Sequence, residues 1–157
     1  MVVLLMTLAL FLVAGCSENN KASVNQTSDG LVMAIGSEPE GGFDPTTGWG
    51  RYGSPLFQST LFKRNSDMQI VNDLATDYTV SPDGKQWTIK LRQDVKFSDG
   101  VPLTAEDVVY TYETAKKSSS VVDLSIMESV TALDDYTVEF NLARPQSTFI
   151  NILANTG

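Results

Sequence analysis

The stretch QWTIKLRQDVKFSDGVPLTAEDVVYTYETAKK, from Gln86 to Lys117, leaves its backbone few choices. Trp87, Ile89 and Leu91 alternate with polar residues, the period-2 pattern of a half-buried strand. Tyr78 and Val80 alternate in the same way upstream, and Pro82-Asp83-Gly84 between the two runs is turn chemistry, so a β-hairpin is expected. Val95 and Phe97 continue extended to a second turn at Ser98-Asp99-Gly100. Thr104 then suits the N-cap of a helix, with Asp107 three residues on to close a capping box. Glu106 and Asp107 sit at the positive end of the helix dipole. Val108, Val109, Tyr112 and Ala115 form one buried face, Lys116 and Lys117 occupy the last turn, and the serines at 118–120 end it.

The flanking segments read less tightly. Leu31–Ile35 is a short apolar run ending at Gly36, a buried strand. Residues 36–54 are dense in Gly and Pro yet carry Phe43, Trp49 and Tyr52, which predicts an ordered loop. Ser54-Pro55 can start a helix that places Leu56, Phe57, Thr60 and Leu61 on one face. A second hairpin is expected from Ser129–Leu133 through Asp134-Asp135 to Tyr136–Leu142. Ser147 is placed to cap a last helix containing Phe149, Ile150, Ile152 and Leu153. Strands and helices interleave without a regular βαβ repeat, so the class is mixed α/β.

The N-terminus points to export. Residues 1–15, MVVLLMTLALFLVAG, contain no charged side chain and are too short to span a membrane as a helix, but fit the apolar core of a signal peptide. Val13-Ala14-Gly15-Cys16 resembles a bacterial lipobox, which implies lipidation of Cys16. That residue is the sole cysteine, so no intramolecular disulfide can form. Two acyl chains suffice for stable anchoring. Residues 17–30 are polar and suit a flexible tether. The expected organisation is a signal peptide over 1–15, a lipidated cysteine and tether over 16–30, and a folded part over 31–157.

Charge and composition remove several function classes. Eleven basic side chains stand against 19 acidic ones, a net charge of −8, and no basic stripe is present, which argues against a nucleic-acid partner. Histidine is absent, which removes the commonest general base and transition-metal ligand, and with Cys16 as the sole thiol no Cys–His pair can form. The Gly-rich stretch at 41–53 lacks the spacings of a phosphate-binding loop. Asp83, Asp99 and Asp134 sit in turns, and Glu106 and Asp107 at a helix start, so structural roles account for them. A two-carboxylate hydrolase is the enzyme class left open. No catalytic residue, metal ligand or cofactor is assigned.

Trp87–Arg92, Asp94–Phe97, Asp99-Gly100 and Pro102–Val108, taken in order, closely resemble the peptide/nickel class of solute-binding proteins, family 5. Gly36–Pro39 with Phe43-Asp44-Pro45, Leu61-Phe62, Leu74-Ala75 and Tyr136–Phe140 also fit, so the resemblance covers roughly residues 30–155. Gln86, where the family usually has a small residue, departs from the pattern at a position expected to face solvent. The resemblance implies a periplasmic-binding-protein-like, type II architecture of two lobes that close on ligand by hinge motion. Family members are much longer, so 31–157 is expected to be an incomplete N-terminal part of one lobe. It further implies a monomeric, extracytoplasmic, lipid-anchored receptor that binds an oligopeptide, dipeptide or nickel chelate and works with ABC permease subunits. The alternative is a surface lipoprotein with a structural or adhesive role.

In that family the segment between the first strand and the following helix lines the ligand cleft. Here it corresponds to Thr47–Gly53, which offers Trp49, Gly50, Arg51 and Tyr52 as candidate ligand contacts. Its glycines let backbone approach a ligand closely, and Arg51 suits a carboxylate bidentately. Trp49 and Tyr52 packed in the core, with Arg51 paired to a neighbouring acid, is the competing structural role. Tyr112 and Glu113 in the helix are further candidates, though the Val/Tyr stripe equally suits a core.

Overall fold

The computed structural model describes Gly30 and residues 58–118 and 122–156. The chain divides into two units, Met1–Gly36 and Ser37–Gly157. The expected signal peptide, Cys16, the expected tether apart from Gly30, the expected strand at 31–35 and the expected loop at 36–54 lie outside the described residues.

Eight elements run in the order β1 (Phe62–Arg64), β2 (Ile70–Asn72), β3 (Ala75–Val80), β4 (Gln86–Leu91), α1 (Ala105–Lys117), β5 (Met127–Asp134), β6 (Thr137–Leu142) and α2 (Phe149–Leu153). β1 and β2 form a small antiparallel pair. The other four make one antiparallel sheet in the order β3-β4-β6-β5. Both expected hairpins are therefore present, and β4 joins them by pairing with β6.

Register carries the alternation of each strand across the whole sheet. Val80, Trp87, Phe140 and Val130 lie in one cross-strand row, and Tyr78, Ile89, Val138 and Ala132 in the next. Residues directly opposite share a face, so the two rows define the core side. α1 lies against β5 and β6, with Ala105, Val108, Tyr112 and Ala115 buried. At the β3 edge the same rows emerge into solvent, where Tyr78 and Val80 are 39% and 40% exposed.

The core is threaded by a chain of aromatic contacts. Phe62 meets Tyr78 edge to face at 5.5 Å, Tyr78 stacks on Trp87 at 5.5 Å, and Trp87 meets Phe149 at 5.7 Å. Phe149 then contacts Phe140 at 5.6 Å, and Phe140 contacts Tyr112 at 4.9 Å. Each such pair contributes roughly 0.5–1.5 kcal/mol beyond its area burial. The chain links β1, the main sheet, α2 and α1.

Two turns depend on glycine. Gly84 has φ 70° and donates its N–H to the Ser81 carbonyl at 2.8 Å, closing the β3–β4 turn. Gly100 has φ 91° and donates to the Phe97 carbonyl at 2.9 Å. Both angles fall where an L side chain is strained.

Three local expectations need correction. Residues 58–61 are not helical: the Thr60 carbonyl accepts from Leu74 N–H, and the Leu61 carbonyl from Asp73 and Ala75 N–H. Thr60 and Leu61 are buried as expected, but in extended chain, because sideways pairing replaces the i→i−4 bonds of a helix. The β1–β2 hairpin was not expected. Its turn is made by the Asn65 side chain, whose Oδ1 accepts from Asp67 N–H at 3.0 Å and Gln69 N–H at 2.9 Å. The N-cap position of α2 is Thr148 rather than Ser147, and no side chain caps it.

Candidate functional site

The start of α1 is held from three sides. Asp107 Oδ2 accepts from the Thr104 backbone N–H at 2.8 Å and from its hydroxyl at 2.9 Å, and the expected capping box is present. Ala105 N–H donates to the Asp135 carbonyl at 2.8 Å, tying the helix to the β5–β6 turn. The turn at 97–101 folds back so that Leu103 N–H reaches the Val95 carbonyl at 3.1 Å. Arg92 makes a bidentate pair with Asp94 at 2.9 and 2.8 Å. The Arg92 hydrogen bond holds the exposed Asp94 carboxyl below its ordinary range.

Between this turn and α1 lies a cavity of about 430 Å³. Its wall is formed by Val95, Lys96, Phe97 and Ser98 from the turn and by Asp107, Val108, Thr111 and Tyr112 from α1. Leu61, Leu74 and Leu103 add apolar lining, and among the described residues Gln58, Ser59 and Thr156 also border it. The volume falls in the range of small-molecule clefts, roughly 300–1,000 Å³. Part of its polar lining is already engaged within the protein. Asp107 is engaged with Thr104, and the Thr111 hydroxyl donates to the Asp107 carbonyl at 3.0 Å. The buried Thr156 hydroxyl has no hydrogen-bond partner among the described residues.

Tyr112 borders this cavity but is 1% exposed. Its hydroxyl donates to the Thr156 carbonyl at 3.2 Å, so its one donor is used within the protein. Burial pushes its phenol well above the ordinary value, which keeps it neutral. Glu113 is not part of the cavity wall, and its carboxylate lies 3.7 Å from the Lys117 ammonium, an i,i+4 pair. Trp49, Gly50, Arg51 and Tyr52 lie outside the described residues. The contribution of Lys96, Thr111 and Thr156 to a cavity was missed. One signal for it was readable: Asp107, Val108, Thr111 and Tyr112 recur at i, i+1, i+4 and i+5, a single side of a helix. Among the described residues no group of three or more His, Cys, Asp or Glu is arranged to hold a metal ion.

Residues 69–157, which include β2 to α2 and the turn at the cavity mouth, match bacterial extracellular solute-binding proteins, family 5, over that family's middle region. This chain belongs to that family. The glutathione-binding protein GsiB of Escherichia coli is 32% identical over 143 residues, which is 85% of this chain and 27% of the relative. NikZ of Campylobacter jejuni, solved with Ni(L-His), superposes with a TM-score of 0.66 at 28% identity, covering 79% of this chain and 25% of NikZ. The ABC transporter-associated periplasmic binding protein DppA of Helicobacter pylori, solved with the peptide STSA, gives a TM-score of 0.57 at 27% identity, covering 71% of this chain and 27% of DppA. The solute-binding protein fold is thus the mixed α/β, two-lobed type, and this chain corresponds to part of one lobe. It spans about a quarter of the length of the curated relatives it matches, 23% and 27% in two cases.

Proposed function

We propose that this chain belongs to the extracytoplasmic receptor of an ABC importer, one that binds a peptide or a nickel chelate and delivers it to permease subunits. The observation that supports it most is the family match over residues 69–157, the span that holds the β3–β4 hairpin, the turn at 97–101 and the capped helix α1. Relatives named or solved with glutathione, a peptide and Ni(L-His) favour a small ligand with free carboxylates. Arg51 is the residue suited to such a carboxylate, with Trp49 and Tyr52 as apolar walls and Gly50 allowing close backbone approach. With no histidine in this chain, nickel would be held here through its chelator and not by direct ligation. The receptor acts as a monomer, tethered to the membrane through Cys16, and performs no chemistry on its ligand. The binding step needs only enclosure and hydrogen bonding.

The test is calorimetry and thermal shift on the complete receptor with dipeptides, glutathione and Ni(L-His). Saturable one-to-one binding with ligand-dependent stabilisation, and recovery of unchanged ligand, is expected. Arg51→Ala should weaken binding about tenfold or more, as loss of a charge-assisted hydrogen bond does. Turnover of the ligand, or no response to any of the three, would refute the proposal.

A further inference from the structure

The cavity beside α1 meets solvent along a polar and charged rim. Lys96, Phe97 and Ser98 are exposed on the side of the turn, and Asp107 and Thr111 are half-buried on the side of α1. The deeper lining includes Leu103 and Val108, both buried.

Two charges on this rim keep bonding capacity. The ion pairs among the described residues join Lys63 to Asp73, Arg92 to Asp94 and Lys117 to Glu113, so the Lys96 ammonium has no carboxylate partner there. Asp107 accepts both Thr104 bonds on Oδ2, at 2.8 and 2.9 Å, and its Oδ1 has no hydrogen-bond partner among the described residues. A lysine ammonium carries three donors, and an ionised carboxylate only accepts. Lys96 and Asp107 border the same cavity without pairing with one another, which leaves room between cation and anion.

A cation and an anion held apart beside apolar side chains complement a molecule that carries both charges and an apolar group. A free amino acid is the smallest such molecule. A cavity of about 150 Å³ already admits a benzene ring. At about 430 Å³ this one has room for a leucine or a phenylalanine together with its charged groups.

We propose that this cavity is a small-molecule site that takes a zwitterionic amino acid with an apolar side chain. The ligand carboxylate pairs with Lys96, its ammonium pairs with Asp107 Oδ1, and its side chain packs on Phe97, Leu103 and Val108. The inference does not rest on the ligand role proposed for Arg51.

NMR titration of the isotope-labelled full chain tests it. L-leucine and L-phenylalanine should give saturable shifts at the Lys96, Val108 and Thr111 amides, and glycine should give none. Leucinamide, which lacks the carboxylate, and N-acetylleucine, which lacks the ammonium, should each bind about threefold or more weakly than leucine. Lys96→Ala should weaken leucine by the same factor and leave leucinamide unchanged. Asp107→Asn, which keeps an acceptor for Thr104, should weaken leucine and leave N-acetylleucine unchanged. The analogue comparison uses the wild type alone, so it decides even if Asp107→Asn fails to fold. Absence of saturable shifts, or equal affinity for leucine and its two analogues, overturns the proposal. Neither result depends on whether Arg51→Ala changes the binding of peptides or Ni(L-His).

Discussion

The Tyr112 hydroxyl donates to the Thr156 carbonyl at 3.2 Å, joining α1 to a point 44 residues later, just beyond α2. The same ring meets Phe140 edge to face at 4.9 Å, so one side chain clamps both helices to the sheet. Tyr112→Phe keeps the ring contact and should lower stability by about 1 kcal/mol, the usual worth of a buried hydrogen bond. Tyr112→Ala should cost about 3–5 kcal/mol, in line with large aromatic truncations. Urea denaturation of both variants checks this. Equal losses for Phe and Ala would show that the ring is not the main contributor.

Gly84 and Gly100 both need positive φ, but their surroundings differ. A Cβ at position 84 would lie 3.1 Å from Pro145 Cβ, whereas one at position 100 would meet nothing within 4 Å. Gly100→Ala should therefore cost only the backbone term, about 1–2 kcal/mol. Gly84→Ala should cost more, since it adds a tight contact to the same strain. Thermal unfolding of the two variants gives the order, and the reverse order would count against the Pro145 contact.

Acidification should weaken the fold through exposed carboxylates. Asp83, Asp94 and Asp123 are held below their ordinary range, chiefly by hydrogen bonds from Ser81, Arg92 and Ser125 respectively. A carboxyl whose folded pKa is depressed favours the native state above its unfolded value, about 3.9. That contribution is lost as pH falls through the folded value. Carboxyl NMR titration should find all three midpoints below 3.9, and Arg92→Ala should return Asp94 towards it. An unshifted Asp94 in the wild type would refute the pairing.

Membrane attachment through Cys16 is tested by metabolic labelling with a fatty-acid analogue. The wild type should take up label and partition with membranes, and Cys16→Ser should do neither. Equal labelling of both proteins would exclude lipidation at this residue.

Interactions within a few residues were legible in the sequence. The alternation of Trp87, Ile89 and Leu91, the glycine turns at 84 and 100, and the Thr104–Asp107 box each involve neighbours a turn apart, so the residue types alone carry the conformation. The β1–β2 hairpin was hidden because Lys63–Gln69 has no apolar alternation and its turn rests on one asparagine side chain. The period-3.6 match at Leu56–Leu61 misled over 58–61 because a handful of apolar positions suits a helix or a paired segment equally, and the choice falls to the partner at 73–75. Alternation also tells which side chains share a face but not which strand lies alongside, so the β4–β6 pairing that joins the two hairpins belongs to the tertiary structure. Tyr112 shows the same division for the site: its place on the apolar face of α1 was readable, but its role depended on Thr156 and Phe140, distant residues that only packing brings to it.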